Sequence, residues 1–242
     1  MPITFAKLGK YGRIGNQLWQ CSATIAHAIR HKCDYILPHW EYENDFNIPK
    51  NKFTDLKNIK YSKTFDEPHF HYAGIPYWPN MNLMGYYQSY KYWQDYSNII
   101  KQLLTPKYKA TKYDGTSIHV RRTDYLVHAG CYNILDMKNY YEKAMEIVGG
   151  NKFLIFSDDI QWCKQHFIGN QFEFAEGNTI QDFSTMINCI NNICANSSYS
   201  WWSSYLNPNP NKKVVAPAIW FGPKLAPTHD IKDLLLNEWV KV

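Results

Sequence analysis

The chain has 242 residues, which is enough for one large domain or two small ones. Hydrophobic residues make up 45% and charged residues 19%, a globular composition that excludes a disordered tail, a collagen and a coiled coil. The net charge of +5 is too small to predict nucleic-acid binding, which requires clustered Lys and Arg. Only four of the 26 basic residues are arginines, so their positions are informative: Arg13, Arg30, Arg121 and Arg122.

Cysteine usage and hydropathy favour a reducing compartment and a protein outside the membrane. The six cysteines include no Cys-x-x-Cys pair, which is typical of reduced thiols. The N-terminal segment lacks a basic region followed by an apolar run, and the longest uncharged stretch, 183–211, is interrupted throughout by Asn and Ser. We therefore expect a soluble, cytoplasmic protein without a membrane span.

In chain order, the first half begins with a predicted strand over about 3–8, a glycine loop at 12–17 and a helix that carries Leu18, Cys21 and Ile25 on one face. Irregular sequence rich in Pro and aromatic residues follows from about 34 to 93. The strand, loop and helix together predict a first α/β half.

The second half is more regular. Short β-branched or aromatic runs begin at Ser117, Phe153, Phe172, Asn192 and Lys213, and helical patterns separate them. Asp136 is a predicted helix N-cap, Gly149 ends that helix, and Thr179 precedes a helix with Asp182 in its first turn. This βαβ alternation predicts a parallel sheet.

The predicted domains are therefore a first α/β domain at 1–110, a second α/β domain at 111–225, and a C-terminal helix at 226–242 that crosses back to the first domain. The expected fold is α/β with two Rossmann-like halves facing a central cleft, where strand ends of both sheets meet a ligand.

The stretch 118–125 is the strongest candidate site. A strand runs into Arg121, Arg122 and Asp124, and guanidinium groups clamp phosphate through paired hydrogen bonds. Alternation along the strand places His119 and Arg121 on the same side. We expect one arginine to bind a ligand and the other to be structural; the alternative is a salt bridge to Asp124 and nothing more.

Two further segments could complete an anion site. Ser197 and Ser198 follow a strand and begin a helix whose exposed amides can bind phosphate, although a plain N-cap explains a serine there equally well. Asp182 either suits the helix dipole or accepts hydrogen bonds from a guanine edge. The nearby Trp201 and Trp202 are expected in the core.

The glycine loop and the histidines carry weaker signals. Gly12 and Gly15 form Gly-x-x-Gly, which is neither a dinucleotide fingerprint nor a Walker loop, and Arg13, Asn16 and Gln17 lie beside them at a helix start. His69 and His71 lack a ligand partner at suitable spacing, so no metal site is predicted. For Asp158 and Asp159, a helix-capping role for at least one is expected.

Six motifs together resemble glycosyltransferase family 11, the α-1,2-fucosyltransferases, and most closely the bacterial type. They occur in family order over nearly the whole chain at 12–20, 85–93, 119–125, 156–159, 195–202 and 215–221. The resemblance implies a GT-B-like fold and inverting, metal-independent transfer of fucose from GDP-fucose to a glycan hydroxyl, with no cofactor beyond the donor. It implies that the acceptor-side domain is 1–110 and the donor-binding domain is 111–225, and it implies two partners, a nucleotide sugar and a glycan acceptor. The small net charge predicts no nucleic-acid partner.

Carried over by position, the resemblance assigns the site residues. Arg121 would clamp the β-phosphate, and His119 and Asp182 would face the guanine. The remaining donor-binding residues would be Arg122, Asn196, Ser197 and Ser198, while Arg13, Asn16 and Gln17 would lie near the cleft.

The catalytic base is expected close to the arginines. Asp124 is the first candidate and His128 the second, whereas Glu41, Asp45 and Glu67 in the first half are more remote candidates. Asp124 could instead only orient an arginine. Two alternatives stay open for the function: transfer of another GDP-sugar or formation of another linkage, and a non-catalytic glycan-binding module in which the many Tyr and Trp residues stack on sugars.

Overall fold

The computed structural model describes residues 2–57 and 59–242 of the chain. These residues form two compact units. The first comprises Met1–Lys107 with Asp230–Leu234, and the second comprises Tyr108–His229 with Leu235–Val242.

The first unit contains a five-stranded parallel sheet. Its strands are β1 Ile3–Thr4, β2 Tyr35–Pro38, β3 Phe53–Thr54, β4 Lys63–Asp66 and β5 Met81–Met84. They are arranged in the order β3-β2-β1-β5-β4, and every pairing is parallel. Two α-helices accompany the sheet, α1 Ile14–Arg30 and α2 Ser97–Leu104, with 3-10 helices at Lys50–Lys52, Tyr90–Tyr92 and Gln94–Tyr96.

Helix α1 is buried on nearly every side although it carries polar residues. The Ser22 hydroxyl donates to the Leu18 carbonyl at 2.8 Å, and the Thr24 hydroxyl donates to the Gln20 carbonyl at 2.7 Å. Because these hydroxyls bond within the helix, their burial leaves no hydroxyl proton without an acceptor.

The second unit contains a six-stranded parallel sheet. Its strands are β6 Tyr113–Val120, β7 Phe153–Ser157, β8 Phe172–Phe174, β9 Cys189–Ile193, β10 Val214–Ala216 and β11 Val240–Lys241, in the order β11-β10-β9-β6-β7-β8. Its helices are α3 Thr123–Val127, a π-helical turn Met137–Tyr141 that continues into α4 Glu142–Val148, α5 Ile160–His166, α6 Thr179–Ile187 and α7 Ser198–Leu206.

The central strands of this sheet form the core of the second unit. Ile118 of β6, Ile155 of β7 and Ile193 of β9 are all 0% exposed and belong to one apolar cluster. Leu154 and Phe156, which alternate with Ile155 along β7, belong to a second apolar cluster. The sheet is therefore apolar on both faces, as a parallel sheet covered by helices requires. Trp201 and Trp202 of α7 are also fully buried, which confirms their expected place in the core.

These observations confirm the predicted α/β class with two parallel sheets. The segment 34–93, irregular in its composition, contributes four of the five strands of the first sheet. Asp136 does cap its helix by accepting from the Asn139 amide at 2.8 Å, whereas the helix at Thr179 is capped by Asn178. Among residues 2–57 and 59–242, no helix is long and apolar enough to cross a membrane.

The prediction of a helix over 226–242 was wrong. This segment consists of turns and the strand β11. Asp233 is only 2% exposed, and its carboxylate accepts from the Tyr72 amide and pairs with Lys91 at 3.3 Å. These contacts with distant residues, together with Pro227, override the local helical preference.

Candidate active site

The candidate site lies where strand order reverses in the second sheet. From β6 the chain proceeds outward to β7 and β8, whereas β9 pairs on the opposite side of β6. The loops that follow β6 and β9 therefore diverge at the carboxyl edge of the sheet, which is where ligands bind in open α/β sheets. The first loop carries 121–122 and the second carries 194–197.

His119 joins these two loops. Its Nδ1 lies 3.0 Å from the Ser200 hydroxyl in the first turn of α7. The side chain is 5% exposed, and burial, followed by the charge of Arg121, lowers the pKa of His119 to about 3. The imidazole is therefore neutral at neutral pH and offers hydrogen bonds rather than positive charge.

The surroundings of Ser200 indicate the tautomer of His119. The Ser200 hydroxyl also lies 3.2 Å from the Ser197 carbonyl and 3.3 Å from the Ala195 carbonyl, both of which only accept. The single hydroxyl proton is thus used by a carbonyl, and Nδ1–H of His119 donates to the hydroxyl oxygen. This leaves Nε2 as an acceptor.

Arg121 holds two carboxylates. Its guanidinium lies 2.7 Å from Asp124 and 3.1 Å from Asp158, and only 13% of the side chain is exposed. Asp124 is more exposed than Asp158, at 38% against 17% of the side chain. The salt bridge between Arg121 and Asp124, which was the alternative interpretation of this motif, is present. Asp158 is a second partner that the spacing of the motif did not indicate.

Asp158 is held in its charged form. Burial alone would raise its pKa, but hydrogen bonds from Thr123 and from the Arg122 amide, together with the charge of Arg121, lower the pKa below the ordinary value. A carboxylate with this many donors is a fixed part of the site.

The Arg122 side chain contacts different residues from those that Arg121 contacts. Its Nε donates to Asp159 at 3.4 Å, and its guanidinium lies 3.8 Å from the centroid of the Trp162 ring. Asp159 also caps α5 by accepting from the Trp162 amide at 3.2 Å. Stacking and pairing account for Arg122 within the protein, and the expected capping role at 158–159 is confirmed.

The second loop supplies hydroxyls, amides and one fixed amide side chain. Ser197 is the N-cap of α7 and accepts from the Tyr199 amide at 3.4 Å, and Ser198 is the first residue of the helix. Asn196 donates to the carbonyls of Asn133 and Trp220, while its buried Oδ1 has no hydrogen-bond partner among the described residues. These contacts fix the loop that begins α7.

Asp182 lies in the first turn of α6. It accepts from the Gly177 amide at 3.1 Å, and burial raises its pKa. Tyr199 connects this turn with His119, because its hydroxyl donates to the Thr179 carbonyl at 2.7 Å and its ring lies 5.4 Å from the imidazole. His128 is exposed and follows α3.

The residues expected from the glycine loop lie in the first unit. Arg13 is exposed and precedes α1, and the Asn16 side-chain oxygen accepts from Gln88 at 2.9 Å. Gln17 is 2% exposed, and both polar atoms of its side-chain amide are hydrogen-bonded. Its oxygen accepts from the Trp40 indole at 2.7 Å, and its nitrogen donates to the Gly12 carbonyl.

Two groups of side chains bear on metals and redox chemistry. His69 and His71 stack with ring centroids 3.7 Å apart. In the part of the chain that the structure describes, no group of three or more His, Cys, Asp or Glu residues is placed to hold a metal ion. All six cysteines are free.

Sequence reasoning missed two residues of the site, Asp158 as an arginine partner and Tyr125. The Tyr125 hydroxyl donates to the Asn196 carbonyl at 2.8 Å, and its ring lies 5.6 Å from the Arg121 guanidinium. The adjacency of β6, β7 and β9 brings these residues together. A βαβ pattern alone would have indicated only that strand ends meet at one edge.

Comparison with known proteins places the chain beside enzymes that transfer sugars. The sequence model described as Glycosyl transferase family 11 matches residues 12–242. An O-antigen biosynthesis glycosyltransferase WbnK of Escherichia coli is 33% identical over 138 residues, which cover 52% of this chain and 44% of that protein. An alpha-1,2-colitosyltransferase of Escherichia coli is 25% identical over 276 residues, which cover 91% of this chain and 93% of that protein.

Proposed function

The chain belongs to glycosyl transferase family 11, and on that premise we propose that it transfers a deoxyhexose from a GDP-sugar to a hydroxyl of a glycan, with inversion and without a metal ion. An α-1,2 linkage, to galactose or a related sugar, is the expected product. The observation that carries this proposal is the meeting of the β6 end with the first turn of α7, joined by His119 and Ser200. That arrangement combines a cation, helix amides and a neutral acceptor at one sheet edge.

In this proposal the diphosphate binds between Arg121 and the start of α7. The first amides of a helix and its dipole favour an anion, and Ser197 and Ser198 add hydroxyl donors. Arg121 and Arg122 face Asp124, Asp158 and Asp159, so carboxylates outnumber guanidinium groups by one. A phosphate therefore has to displace a carboxylate from Arg121.

Asp124 is the carboxylate that yields. It is the more exposed partner of Arg121, whereas Asp158 keeps the bonds from Thr123 and the Arg122 amide. Donor binding then frees the Asp124 carboxylate from Arg121 at the moment when a base is needed. Asp124 is accordingly our first candidate for the base, ahead of the exposed His128.

The reaction is a single displacement. The acceptor oxygen forms a bond to C1 of the donor sugar, the bond from C1 to the β-phosphate oxygen breaks, and the hydroxyl proton passes to Asp124. Arg121 and the α7 amides stabilise the negative charge that develops on the departing GDP, a role worth several kcal/mol when the donors are fixed in advance.

The nucleobase contacts follow from hydrogen-bond complementarity. The guanine edge carries N–H donors at N1 and N2, and Asp182 and the acceptor Nε2 of His119 are suited to receive such donors. Asp182 is half-buried and burial raises its pKa, so N–H donors of a bound base would stabilise its charged form.

Fucose is the donor sugar implied by the family motifs, and colitose is a second candidate because the relative that aligns over 91% of the chain is named for it. Turnover assays with the GDP derivatives of fucose, colitose and mannose separate these candidates. A glycan-binding module without GDP affinity would turn over none of these three GDP-sugars.

Calorimetric titration tests the nucleotide assignment. The protein, in EDTA, is titrated with GDP, UDP and ADP. We expect GDP to bind at least about tenfold more tightly than either of the others, because only guanine places two donors against Asp182 and His119. Equal affinities would overturn the guanine assignment, and a strict requirement for a divalent cation would overturn the metal-free proposal.

A further inference from the structure

Tyr125 connects the two loops between which the diphosphate is proposed to bind. It lies in α3, shortly after Arg121, and its hydroxyl donates to the Asn196 carbonyl at 2.8 Å. Its ring lies 5.6 Å from the Arg121 guanidinium, within the range of a cation–π contact. One side chain therefore contacts both the arginine after β6 and the residue that precedes the N-cap of α7.

The Tyr125 hydroxyl acts as a hydrogen-bond donor. The side chain is buried, and burial raises its pKa, so the hydroxyl stays protonated at neutral pH. A backbone carbonyl only accepts, which fixes the direction of the bond to Asn196. Separating the two loops would leave a buried hydroxyl and a buried carbonyl without each other, and that loss opposes the separation.

A second tyrosine supports the ring of Tyr125. The Tyr132 ring stacks on it with centroids 4.0 Å apart and an interplanar angle of 5°. Tyr132 pairs through its backbone with Phe221, and the Gly222 amide donates to the Cys131 carbonyl at 2.8 Å. Because the supporting ring belongs to a paired segment, the stack restricts rotation of the Tyr125 side chain.

Asn196 is held at the other end of the connection. Its side-chain nitrogen donates to the carbonyls of Asn133 and Trp220, at 2.9 and 2.7 Å, and the residue is buried. The residue whose carbonyl receives the Tyr125 hydroxyl is therefore anchored by its own side chain. Both ends of the Tyr125–Asn196 bond are thus fixed within the second unit.

We propose that Tyr125 is a positioning residue for donor binding, which sets the separation between the Arg121 guanidinium and the amides at the start of α7. A diphosphate bridges two anion-binding groups only when their separation matches its own length, and fixed groups stabilise a departing charge better than mobile ones. A monophosphate reaches one of the two groups and does not depend on the separation. This inference rests on the proposed function, because it concerns the donor of that reaction.

Calorimetric titration with GDP and GMP tests the role of Tyr125. Tyr125→Phe keeps the ring and deletes only the hydroxyl, so affinity for GDP should fall by about five- to tenfold, while affinity for GMP stays within about twofold of the parent. The ratio of the two affinities is the readout. A residue that only stabilises the fold would change both affinities alike and leave this ratio unchanged.

Tyr87→Phe is the matched control. Tyr87 lies in the first unit, is fully buried, and its hydroxyl lies 3.2 Å from the carbonyls of Phe65 and Met84. This variant also loses a buried hydroxyl that donates to the backbone, so a comparable drop in Tm is expected with an unchanged ratio of GDP to GMP affinity. An equal shift of the ratio in both variants would overturn the role of Tyr125, and so would a parental ratio in Tyr125→Phe.

Tyr132→Leu tests the same role without altering Tyr125. It removes the stacked ring, so the preference for GDP over GMP should fall by about threefold, whereas Tyr132→Phe should keep the parental preference. If Tyr125→Phe does not fold, Tyr132→Leu decides, and a parental preference in that variant would overturn the role.

Inorganic pyrophosphate separates failure of the positioning role from failure of the proposed function. It carries a diphosphate without nucleoside or sugar, so Tyr125→Phe should bind it more weakly than the parent does. Weaker binding, with a parent that forms no product from GDP-fucose and lactose, would retain the positioning role and contradict the transferase. Product formation with equal pyrophosphate affinities would overturn the positioning role alone. A parent that binds none of GDP, GMP and pyrophosphate would overturn both.

Discussion

At the scale of single residues, Arg121 and Arg122 show how adjacent identical side chains acquire different environments. Arg121 faces two carboxylates, one of them 38% exposed, whereas Arg122 is held by Asp159 and the Trp162 ring. The motif predicted that one arginine would be structural, and strand alternation predicted that His119 and Arg121 would share a side. The contacts support Arg122 as the structural one.

The first prediction concerns the geometry of Arg121. Arg121→Lys keeps the positive charge but loses the planar, paired hydrogen bonds, so affinity for GDP should fall by about 10- to 100-fold. Arg30→Lys, at the arginine that pairs with Asp95 at 3.6 Å in the other unit, should leave GDP affinity unchanged. Calorimetric titration measures both. An unchanged affinity in Arg121→Lys would contradict a phosphate clamp at this residue.

Other site residues could not be predicted from the chain because their partners are distant in sequence. Asp158 reaches the Arg122 amide from 36 residues away, and the Tyr125 hydroxyl reaches the Asn196 carbonyl across 71 residues. Glu67, for which the sequence indicates only a remote candidacy as the base, accepts hydrogen bonds from two amides of the loop after β5. Each of these contacts depends on which strands are neighbours, and a hydrophobic pattern does not encode that order.

At the scale of elements, the sequence predicted the second sheet better than the first. Runs of Ile, Val and Phe mark β6 and β7, because central parallel strands are covered on both faces. Strands β1 and β3 contain two residues each, too few for a periodic signal. The C-terminal segment resisted prediction for a different reason, since the buried Asp233 and its partners fix it in turns.

The second prediction compares two helix caps. The Asn178 side chain caps α6 by accepting from the Ile180 and Gln181 amides, and the Gln181 side-chain oxygen accepts from the Asn178 amide at 3.0 Å. At α7, Ser197 accepts from the Tyr199 amide at 3.4 Å. Asn178→Ala should lower the free energy of unfolding by about 1 kcal/mol, and Ser197→Ala should cost less.

Urea denaturation of the two variants, with the parent protein as reference, measures this difference. The comparison also bears on the site, because Asp182 belongs to the first turn of α6. A larger loss for Ser197→Ala than for Asn178→Ala would show that Ser197 makes a structural contribution beyond its cap.

At the scale of the whole molecule, each unit contains a buried neutral histidine. Burial, followed by the charges of His31 and Arg30, lowers the pKa of His27 to about 4. Burial and Arg121 lower that of His119 to about 3. The unfolded chain takes up these protons below about pH 6.5, whereas the folded chain does not.

The third prediction follows from this linkage. Because the unfolded state binds more protons, these two histidines cost no stability above about pH 6.5, and their cost grows as the pH decreases. The free energy of unfolding lost through His27 grows down to about pH 4, and that lost through His119 grows down to about pH 3. His27→Gln removes one titrating group, so its stability should decline less steeply between pH 6.5 and 4 than that of the parent. Thermal melts at several pH values measure the slopes. Parallel curves would contradict burial of a neutral His27.

The overall charge of +5 says little about the site, whose carboxylates outnumber its arginines. The scarcity of arginine is more informative, since two of the four arginines are adjacent at 121–122, at the candidate site. Membership in glycosyl transferase family 11 identifies the chain as a glycosyltransferase, and the point of strand-order reversal in the second unit is the proposed location of the donor.

The central claim is that the protein transfers a deoxyhexose to a sugar hydroxyl. The most direct test incubates it in EDTA with GDP-fucose and lactose or methyl β-galactoside and analyses the products by mass spectrometry and NMR. We predict a product heavier by one deoxyhexose residue, with an α-anomeric proton and the linkage at O2 of galactose. Release of free fucose without any such product, or a product formed only when divalent metal is added, would contradict the account.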